Sequence, residues 1–509
     1  KSTYNLCYLD LVKHFIKTII HSLNECSLTV VSFNNKANVV FSNKIINGEN
    51  KEFLMEKVDV LRPNGTTDLW SGITVGINET HTVSEDYLKQ MILLTDGIPT
   101  YEPPMGISKS IVKLIKTKGV EFPIHTIGFG YNLQVNILRD VSYYGNSGKF
   151  YYIPETSMLG TTLIHLLSNL LIKCTKSTVV ELEMENDIVD TEFMKYTRSY
   201  KYEIEGNRVI INIGQLNSNS TRTLLFPKEH KVVGTTIRYI DLNNVLNSYE
   251  ISNIEDIRIT PEYITQKFRN VFIHIISLIY DKLVKQNRTE EIVNLLDNFE
   301  KDIRVSGYDS HKYMIDILED FNTQIKPALL NNSYFNKWGK YYLVSFINTH
   351  LYEECNNFKD KSIQHYKTEE FEEICDIVDT IFCDLPPPKP TAKSGSMYGG
   401  GGNYRGSTNT APINMRTFSD ASNGCFHGRC VVKTPYGPKM VSDIKKNDRV
   451  CNSDNSVSVI ECVVKIKTSG NLASLVNVNG LLITQWHPIY VNDKWKFPVD
   501  IGETCIYEC

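Results

Sequence analysis

The chain has 509 residues, 41% of them hydrophobic and 22% charged, a composition and length typical of several soluble globular domains. Its formal net charge of −4 excludes an electrostatic case for binding nucleic acid or an anionic membrane. The apolar runs are too short to span a bilayer, and the 12 cysteines show no regular spacing. We therefore expect a cytoplasmic protein whose cysteines remain thiols.

Residues 1–173 alternate helical patterns with continuous apolar strands. An amphipathic helix is predicted over residues 9–23, and buried strands are predicted over residues 91–94 and 123–129. This alternation is typical of a Rossmann-like parallel sheet covered by helices on both faces, the fold class of a multidomain α/β protein. Ligands of such sheets bind beyond the carboxyl ends of the strands.

Two oxygen-rich turns occupy positions of this kind. Thr67 lies in the turn 65–68, and Asp96 directly follows an apolar strand. A threonine hydroxyl and an aspartate carboxylate suit a hard cation such as Mg²⁺. The alternative interpretation is that Asp68 caps the following helix and that Asp96 and Gly97 form an ordinary turn.

The segments LRPNGTTDLWSG (61–72), LLTDG (93–97) and IHTIGFG (124–130) resemble a von Willebrand factor A (vWA) domain. The resemblance implies a protein partner bound through this domain, at a metal-ion-dependent adhesion site. That site uses a D-x-S-x-S motif, a threonine and an aspartate, and Thr67 and Asp96 match its second and third elements. The first element and its strand have no counterpart here. We therefore expect either a chain truncated at its start or a degenerate site that binds Mg²⁺ weakly at most.

The middle of the chain changes its apolar period at Thr260 and Pro261, a pair typical of a helix start. Alternating patterns predict a small β-sandwich or sheet over residues 177–258. Residues 260–384 are predicted to form a helical bundle. The predicted strands are residues 179–184, 200–204, 209–213, 221–226 and 236–240.

The helical part contains an aromatic run. Residues 338–350 begin with Trp-Gly-Lys-Tyr-Tyr-Leu, and three prolines follow at 386–388. This pattern resembles the intein-like segment associated with vWA and Hint architectures. We expect four side chains of the run to pack in the core rather than to catalyse: Trp338, Tyr341, Tyr342 and His350.

Residues 385–422 are rich in Pro, Gly and Ser, which predicts a flexible linker. The linker leads into Gly424 and Cys425. A cysteine thiol can attack the carbonyl of the residue before it and form a thioester, if the leaving nitrogen receives a proton. Proximity is built in because attacker and target are neighbours in the chain. A lone cysteine is more often a small buried hydrophobe. The surrounding sequence is therefore needed to distinguish a packing role from a nucleophilic role for Cys425.

The surrounding sequence predicts an all-β module over residues 423–509. Its segments 431–437, 441–450 and 482–487 resemble the Hint module of inteins and hedgehog autoprocessing domains. In that family the middle segment usually carries a glycine where this chain has Asn447. Asp448, which follows, fits a structural carboxylate at a turn.

The Hint resemblance also implies roles for individual residues. Cys425 would attack the carbonyl of Gly424 in an N-to-S acyl shift, His487 would protonate the scissile nitrogen, and Thr484 would hydrogen-bond near the strained carbonyl. The asparagine and following nucleophile that end an intein have no counterpart, so we expect a C-terminally incomplete module that does not splice. Hydrolysis or attack by an external nucleophile would then release the thioester.

Two functional hypotheses follow from the sequence. In the first, a vWA scaffold is joined to a cysteine autoprotease that acts once, on its own chain. In the second, the protein only binds a partner, with a degenerate metal site and an inert Hint remnant. A third interpretation, a component of ubiquitin machinery, has no supporting residues.

Overall fold

The computed structural model describes the chain from residue 6 to residue 508 with gaps, and the structural statements below concern the described residues. The residues not described within that span are 155, 189–199, 227–229, 252–259, 286–289, 357–359, 392–414, 416–417, 419–425, 453–455, 461–462, 464–471, 485–488, 492–493, 497 and 499–500. The chain divides into two compact units, residues 11–382 and residues 1–10 with 383–509. Each unit is described by itself.

The first part of the larger unit is a layer of strands with helices packed on it. Two strands pair antiparallel, and three form a parallel sheet in the order β3-β4-β5. The strands are β1 Ser27–Phe33, β2 Ala37–Ile45, β3 Met91–Thr95, β4 Ile124–Phe129 and β5 Phe150–Ile153. The helices are α1 Tyr8–Ser22, α2 Lys51–Asp59, α3 Leu69–His81, α4 Ile107–Lys118, α5 Val135–Tyr144 and α6 Leu159–Leu171. The predicted parallel sheet with flanking helices is confirmed.

Helix α3 packs closely on both groups of strands through two glycines. A Cβ atom added at Gly72 would lie 2.7 Å from the ring of Phe33 in β1, and one at Gly76 would lie 2.5 Å from the methyl group of Met91 in β3. Larger residues at these positions would push the helix off the strands. The helix is therefore held close to β1 and β3, and Thr67 lies two residues before its first residue.

The next region is a single antiparallel sheet of five strands in the order β10-β9-β6-β8-β7. Its strands are β6 Thr175–Met184, β7 Lys201–Glu205, β8 Arg208–Asn212, β9 Val232–Asp241 and β10 Leu246–Ile251. The prediction of a strand over residues 221–226 is wrong, because that segment forms no ladder. Its polar groups are bound by carboxylates instead: Arg222 Nη2 donates to Glu354 at 2.7 Å, and the Thr223 N–H donates to Glu353 at 2.6 Å.

Helices follow, and the first begins where the sequence predicts. Thr260 caps it by accepting a hydrogen bond from the Tyr263 N–H at 3.2 Å, and Pro261 occupies its first turn. The helices are α7 Pro261–Val284, α8 Glu290–Ser306, α9 Lys312–Asp320, α10 Lys326–Leu330, α11 Asn332–Tyr334, α12 Lys340–Tyr352, α13 Lys361–Gln364 and α14 Glu369–Asp384. Two five-residue π-helical segments interrupt the series, at Phe321–Ile325 and Phe335–Gly339. No helix in the described part of the chain combines the length and apolar content needed to cross a bilayer.

A buried carboxylate ties three regions of this unit together. Glu354 accepts hydrogen bonds from Lys149 at the start of β5, from Lys173 before β6 at 3.0 Å, and from Arg222 at 2.7 Å. The side chains of all four residues are at most 10% exposed. Burial alone would raise the pKa of Glu354, but the three cations outweigh it and hold the pKa well below its ordinary range.

The C-terminal region is composed of antiparallel strands, as the sequence predicts. Its pairs are β11 with β12, β13 with β14 and β17 with β18, and a three-stranded sheet has the order β16-β15-β19. The strands are β11 Val431–Thr434, β12 Gly437–Met440, β13 Arg449–Cys451, β14 Val457–Val459, β15 Leu472–Val478, β16 Leu481–Ile483, β17 Ile489–Val491, β18 Lys494–Lys496 and β19 Glu503–Glu508. Asn479 and Gly480, both with positive φ, connect β15 to β16 in a two-residue hairpin.

Candidate functional site

The chain enters the C-terminal module beside the end of β16. Phe426 forms an antiparallel bridge with Ile483, and the N–H of His427 donates to the carbonyl of Leu482 at 2.9 Å. Ile483 is fully buried, and β16 is paired on its other side with β15. The residues that directly follow the predicted junction are thus held against the strand that leads to Thr484.

The three other residues of the predicted reaction lie outside the described residues: Gly424, Cys425 and His487. Thr484 is described, and it directly follows β16 with its side chain partly buried. Phe426, which follows Cys425 in the chain, is therefore paired with Ile483, which precedes Thr484. The assignment of Cys425, Thr484 and His487 to catalysis stays a prediction.

His427 is a second imidazole close to the junction in the chain, and no motif in the sequence predicts a role for it. Its side chain is 9% exposed, and its Nδ1 accepts a hydrogen bond from the Arg429 N–H at 3.0 Å. In a neutral ring that accepts at Nδ1, the proton resides on Nε2. The signal in the sequence is its position, two residues after Cys425.

A neighbouring cysteine is already engaged in packing. Cys430 is 5% exposed, and its thiol donates to the carbonyl of Leu482 at 3.2 Å. Its own carbonyl accepts a hydrogen bond from the Val441 N–H at 2.8 Å. This thiol helps to fix the first turn of the module on β16.

Asn447 and Asp448 form the turn before β13. Asn447 has φ of +72°, in the left-handed region. Glycine and asparagine adopt this conformation with the least backbone strain. This explains how asparagine substitutes for the glycine of the family pattern. Asp448 accepts from the Lys445 N–H at 2.7 Å and from Lys439 Nζ at 2.6 Å. The hydrogen bond from Lys439, and then the one from Lys445, lower the pKa of Asp448.

The predicted metal ligands lie on two turns that the structure brings together. Residue Thr100 ties the turns, because its N–H donates to the Thr67 carbonyl at 2.9 Å and its Oγ1 accepts from the Thr67 N–H at 3.2 Å. A Cβ atom at Gly97 would lie 2.8 Å from Thr67 Oγ1, so glycine lets this hydroxyl approach the residue after Asp96. Asp68 also caps α3 by accepting from the Ser71 N–H at 2.9 Å. Capping and the metal hypothesis are therefore compatible.

Thr67 and Asp96 are both oxygen donors, the type of ligand that a hard cation prefers. Thr67 and Asp96 supply oxygen atoms at the carboxyl end of β3, where α/β proteins bind ligands. No group of three or more His, Cys, Asp or Glu side chains suited to a metal occurs among the residues that the structure describes. Mg²⁺ prefers six oxygen ligands, so two protein ligands leave most positions to water or to a partner.

We expect Mg²⁺ to bind here no more tightly than about 1 mM, which corresponds to roughly −4 kcal/mol. Asp96→Ala should remove that binding in isothermal titration calorimetry. Asp86→Ala, which changes an exposed carboxylate outside this turn, is the matched control and should leave it unchanged. Micromolar binding that survives Asp96→Ala would contradict the assignment.

Family models match three parts of the chain. The model of the von Willebrand factor type A domain matches residues 5–163, and a model described as VWA / Hh protein intein-like matches residues 311–380. A Hint-domain model matches residues 424–509. The order of the three confirms the architecture predicted from the sequence. Domains of the VWA class commonly mediate protein interactions.

Individual relatives are distant. The uncharacterized protein sll0103 of Synechocystis sp. is 25% identical over 256 residues, which cover 46% of this chain and 58% of the relative. A von Willebrand factor type A structure from Catenulispora acidiphila is 14% identical with a TM-score of 0.42, and covers 59% of this chain and 77% of its own. The ArnB paralog VWA2 from Sulfolobus acidocaldarius is 14% identical with a TM-score of 0.36, and covers 66% and 84%. The fold assignment rests on the family models and the elements described above.

Proposed function

From a chain that carries a VWA domain, an intein-like segment and a Hint-domain in that order, we propose a self-processing protein. The Hint module cleaves the chain at Gly424–Cys425 by an N-to-S acyl shift, and the VWA domain binds a protein partner. The alternative is an interaction protein whose Hint module is inert. The two differ in whether a thiol releases the N-terminal part of the chain.

The observation that carries the proposal is the bridge between Phe426 and Ile483. The ladder runs antiparallel, and the His427 N–H on one side of the bridge already donates to Leu482. Cys425 directly precedes Phe426 in the chain, and Thr484 directly follows Ile483. The bridge therefore supports a reaction that uses both Cys425 and Thr484.

The same register also predicts which side chains share a face. Successive residues of a strand point to opposite faces, and opposed residues of a pair point to the same one. Phe426 and Ile483 therefore lie on one face of the sheet, and His427 and Leu482 lie on the other. The imidazole of His427 and the hydroxyl of Thr484 belong to residues that flank this bridge, which supports both as participants in the reaction.

The chemistry needs no external reactant for its first step. Cys425 Sγ forms a bond to the carbonyl carbon of Gly424, and the carbon–nitrogen bond of the peptide breaks. The thiol loses one proton and the leaving nitrogen gains one, so the shift is proton-neutral. His487 is the proposed donor to nitrogen, and His427, with its proton on Nε2, is the competing donor. An added thiol or water then releases the thioester.

Thr484 tests whether its hydroxyl takes part in the proposed cleavage. Thr484→Val should slow thiol-dependent cleavage by about 10²-fold, the usual effect of removing one donor near a developing oxyanion. Thr484→Ser keeps the hydroxyl and should retain most of the rate. Thr504→Val changes an exposed threonine of β19 and serves as control. Gel time courses with dithiothreitol measure the rates, and equal rates for the valine and serine variants at position 484 would argue against this role.

The interaction hypothesis is favoured by the approach of Thr67 to the turn of Asp96. It assigns partner binding to the carboxyl end of β3. Pull-down of a partner with wild type and with Asp96→Ala, each with and without a chelator, tests this function separately from cleavage. Capture that depends on both Asp96 and the cation supports it. Capture that is changed neither by Asp96→Ala nor by the chelator would assign the partner to another surface.

A further inference from the structure

A cavity of about 260 Å³ lies within the larger unit, between the turns that follow β4 and β5 and the helices from π-helical segment Phe321–Ile325 to α13. Tyr131 and Tyr152 line it from the parallel-sheet side, and Trp338, Tyr342 and Asp360 line it from the helical side. Tyr131 is 41% exposed, so the cavity reaches the surface there. Its volume lies just below the range of about 300–1,000 Å³ of sites for drug-sized ligands, which favours a compact ligand.

Aromatic rings line up along one helix face of this cavity. Trp338, Tyr342 and Phe346 follow each other at a spacing of four residues, which places them on one face. The ring centroids of Trp338 and Tyr342 are 5.6 Å apart, and those of Tyr342 and Phe346 are 5.7 Å apart. The sequence predicts that Trp338 and Tyr342 are core residues, yet both are only partly buried. Tyr341 and His350, in contrast, are at most 2% exposed.

The two π-helical segments found in the described residues both contribute to the cavity. Gln324 comes from the segment Phe321–Ile325, and Trp338 comes from Phe335–Gly339. A π-turn widens the helix and redirects a side chain, and such turns occur frequently at functional sites. Here they direct one amide and one indole toward the same space.

One of the described residues that line the cavity is charged, and it is the carboxylate Asp360. Asp360 is 2% exposed, and its Oδ1 accepts from Gln324 Nε2 at 2.6 Å and from the Tyr342 hydroxyl at 2.9 Å. Asp320, also 2% exposed, accepts hydrogen bonds from the backbone N–H groups of Lys361 and Ser362, which follow Asp360 in the chain. Burial, and then the charge of Asp360, raises the pKa of Asp320 to about 7. The carboxylate that lines the cavity is therefore that of Asp360, and a buried carboxylate favours a cationic ligand.

A cation of the chain itself, the ammonium group of Lys337, lies near the opening of the cavity at Tyr131. Lys337 Nζ lies 6.0 Å from the centroid of the Tyr131 ring, within the range of cation–π attraction. Aromatic faces combined with a buried carboxylate are the chemistry that recognises alkylammonium groups. We infer that this cavity binds the alkylammonium group of a compact organic cation. The inference does not depend on self-cleavage.

Choline and 3,3-dimethyl-1-butanol test the inference, because the alcohol has the same shape without the charge. We expect calorimetry on the full chain to show choline binding at least tenfold more tightly than the alcohol. Potassium chloride at equal concentration is the blank for ionic strength. Equal binding of the two compounds overturns the inference.

Variants locate the binding in this cavity. Trp338→Leu should weaken choline binding tenfold or more, and Asp360→Asn, which keeps an oxygen acceptor, should weaken it as well. Phe53→Leu removes an exposed ring that also lies near a cation, Lys57 at 5.1 Å, and should have no effect. Thermal melting confirms that each variant folds. Unchanged affinity in a folded Trp338→Leu variant overturns the inference.

A second arm distinguishes the source of the cation. A peptide with one trimethyl-lysine is compared with choline and with the same peptide carrying unmodified lysine. Tighter binding of the trimethyl-lysine peptide than of choline assigns the cavity to a protein side chain. Tighter binding of choline assigns it to a free small cation. Failure of both ligands to bind contradicts the inference.

Discussion

Cys425→Ala is expected to abolish cleavage by dithiothreitol. The proposal places the attacking sulfur in the residue that the substitution changes, so no thioester forms and no other group of the chain can replace it. Wild type should yield a large N-terminal and a small C-terminal fragment, whereas Cys425→Ala should remain a single band. Loss of a nucleophile removes essentially the whole rate enhancement in comparable systems, roughly 10⁶-fold.

Two other cysteines of the module provide controls for this result. Cys505→Ala changes an exposed thiol of β19 and should cleave at the wild-type rate. Cys430→Ala removes the buried thiol that donates to Leu482, so it should lower stability and still cleave when folded. Cleavage in Cys425→Ala, or loss of cleavage only in Cys430→Ala, would assign the nucleophile elsewhere.

Glu354→Gln should destabilise the larger unit by about 3–5 kcal/mol, the usual effect of removing one partner of a buried ion pair. The substitution keeps the shape of the side chain, but it leaves Lys149, Lys173 and Arg222 buried without their counter-charge. The matched control is Glu372→Gln, since Glu372 is 62% exposed and its contact with Lys367 is 3.9 Å long. The control should change stability by less than about 0.5 kcal/mol. Urea unfolding followed by circular dichroism measures both changes.

The stabilisation by Glu354 also has a defined pH dependence. Its pKa is lowered in the folded state, so its contribution is fully present above the ordinary glutamate pKa of about 4.3 and declines as the pH falls below it. Wild type and Glu354→Gln should therefore differ more in stability at pH 7 than at pH 3. An equal difference at both values, or none at pH 7, would show that the three cations find other partners.

The sequence predicted those parts of the fold that depend on local pattern. Continuous apolar strands such as β3 alternate with amphipathic helices, and the period of the pattern identifies both. Residues 221–226 show why the remainder failed. Their pattern fits a strand, but their partners are Glu353 and Glu354, more than a hundred positions away, and no local pattern reports contacts of that range.

The candidate sites show the same division. Asn447 could be recognised as a departure from the family pattern, and only the backbone shows the positive φ that asparagine tolerates. Trp338 and Tyr342 have the helical spacing of core residues, and the cavity beside them depends on how α12 meets the turns after β4 and β5. His427 has no motif of its own, and its proximity to the junction emerges from the ladder between Phe426 and Ile483.

The most direct test is intact-mass spectrometry of the full chain after incubation with dithiothreitol at neutral pH. The proposal predicts two species: residues 1–424 with a dithiothreitol thioester on Gly424 or its hydrolysed carboxylate, and residues 425–509 with a free amino group on Cys425. A chain that stays intact, or that is cut at another peptide bond or equally without thiol, would contradict the N-to-S acyl shift.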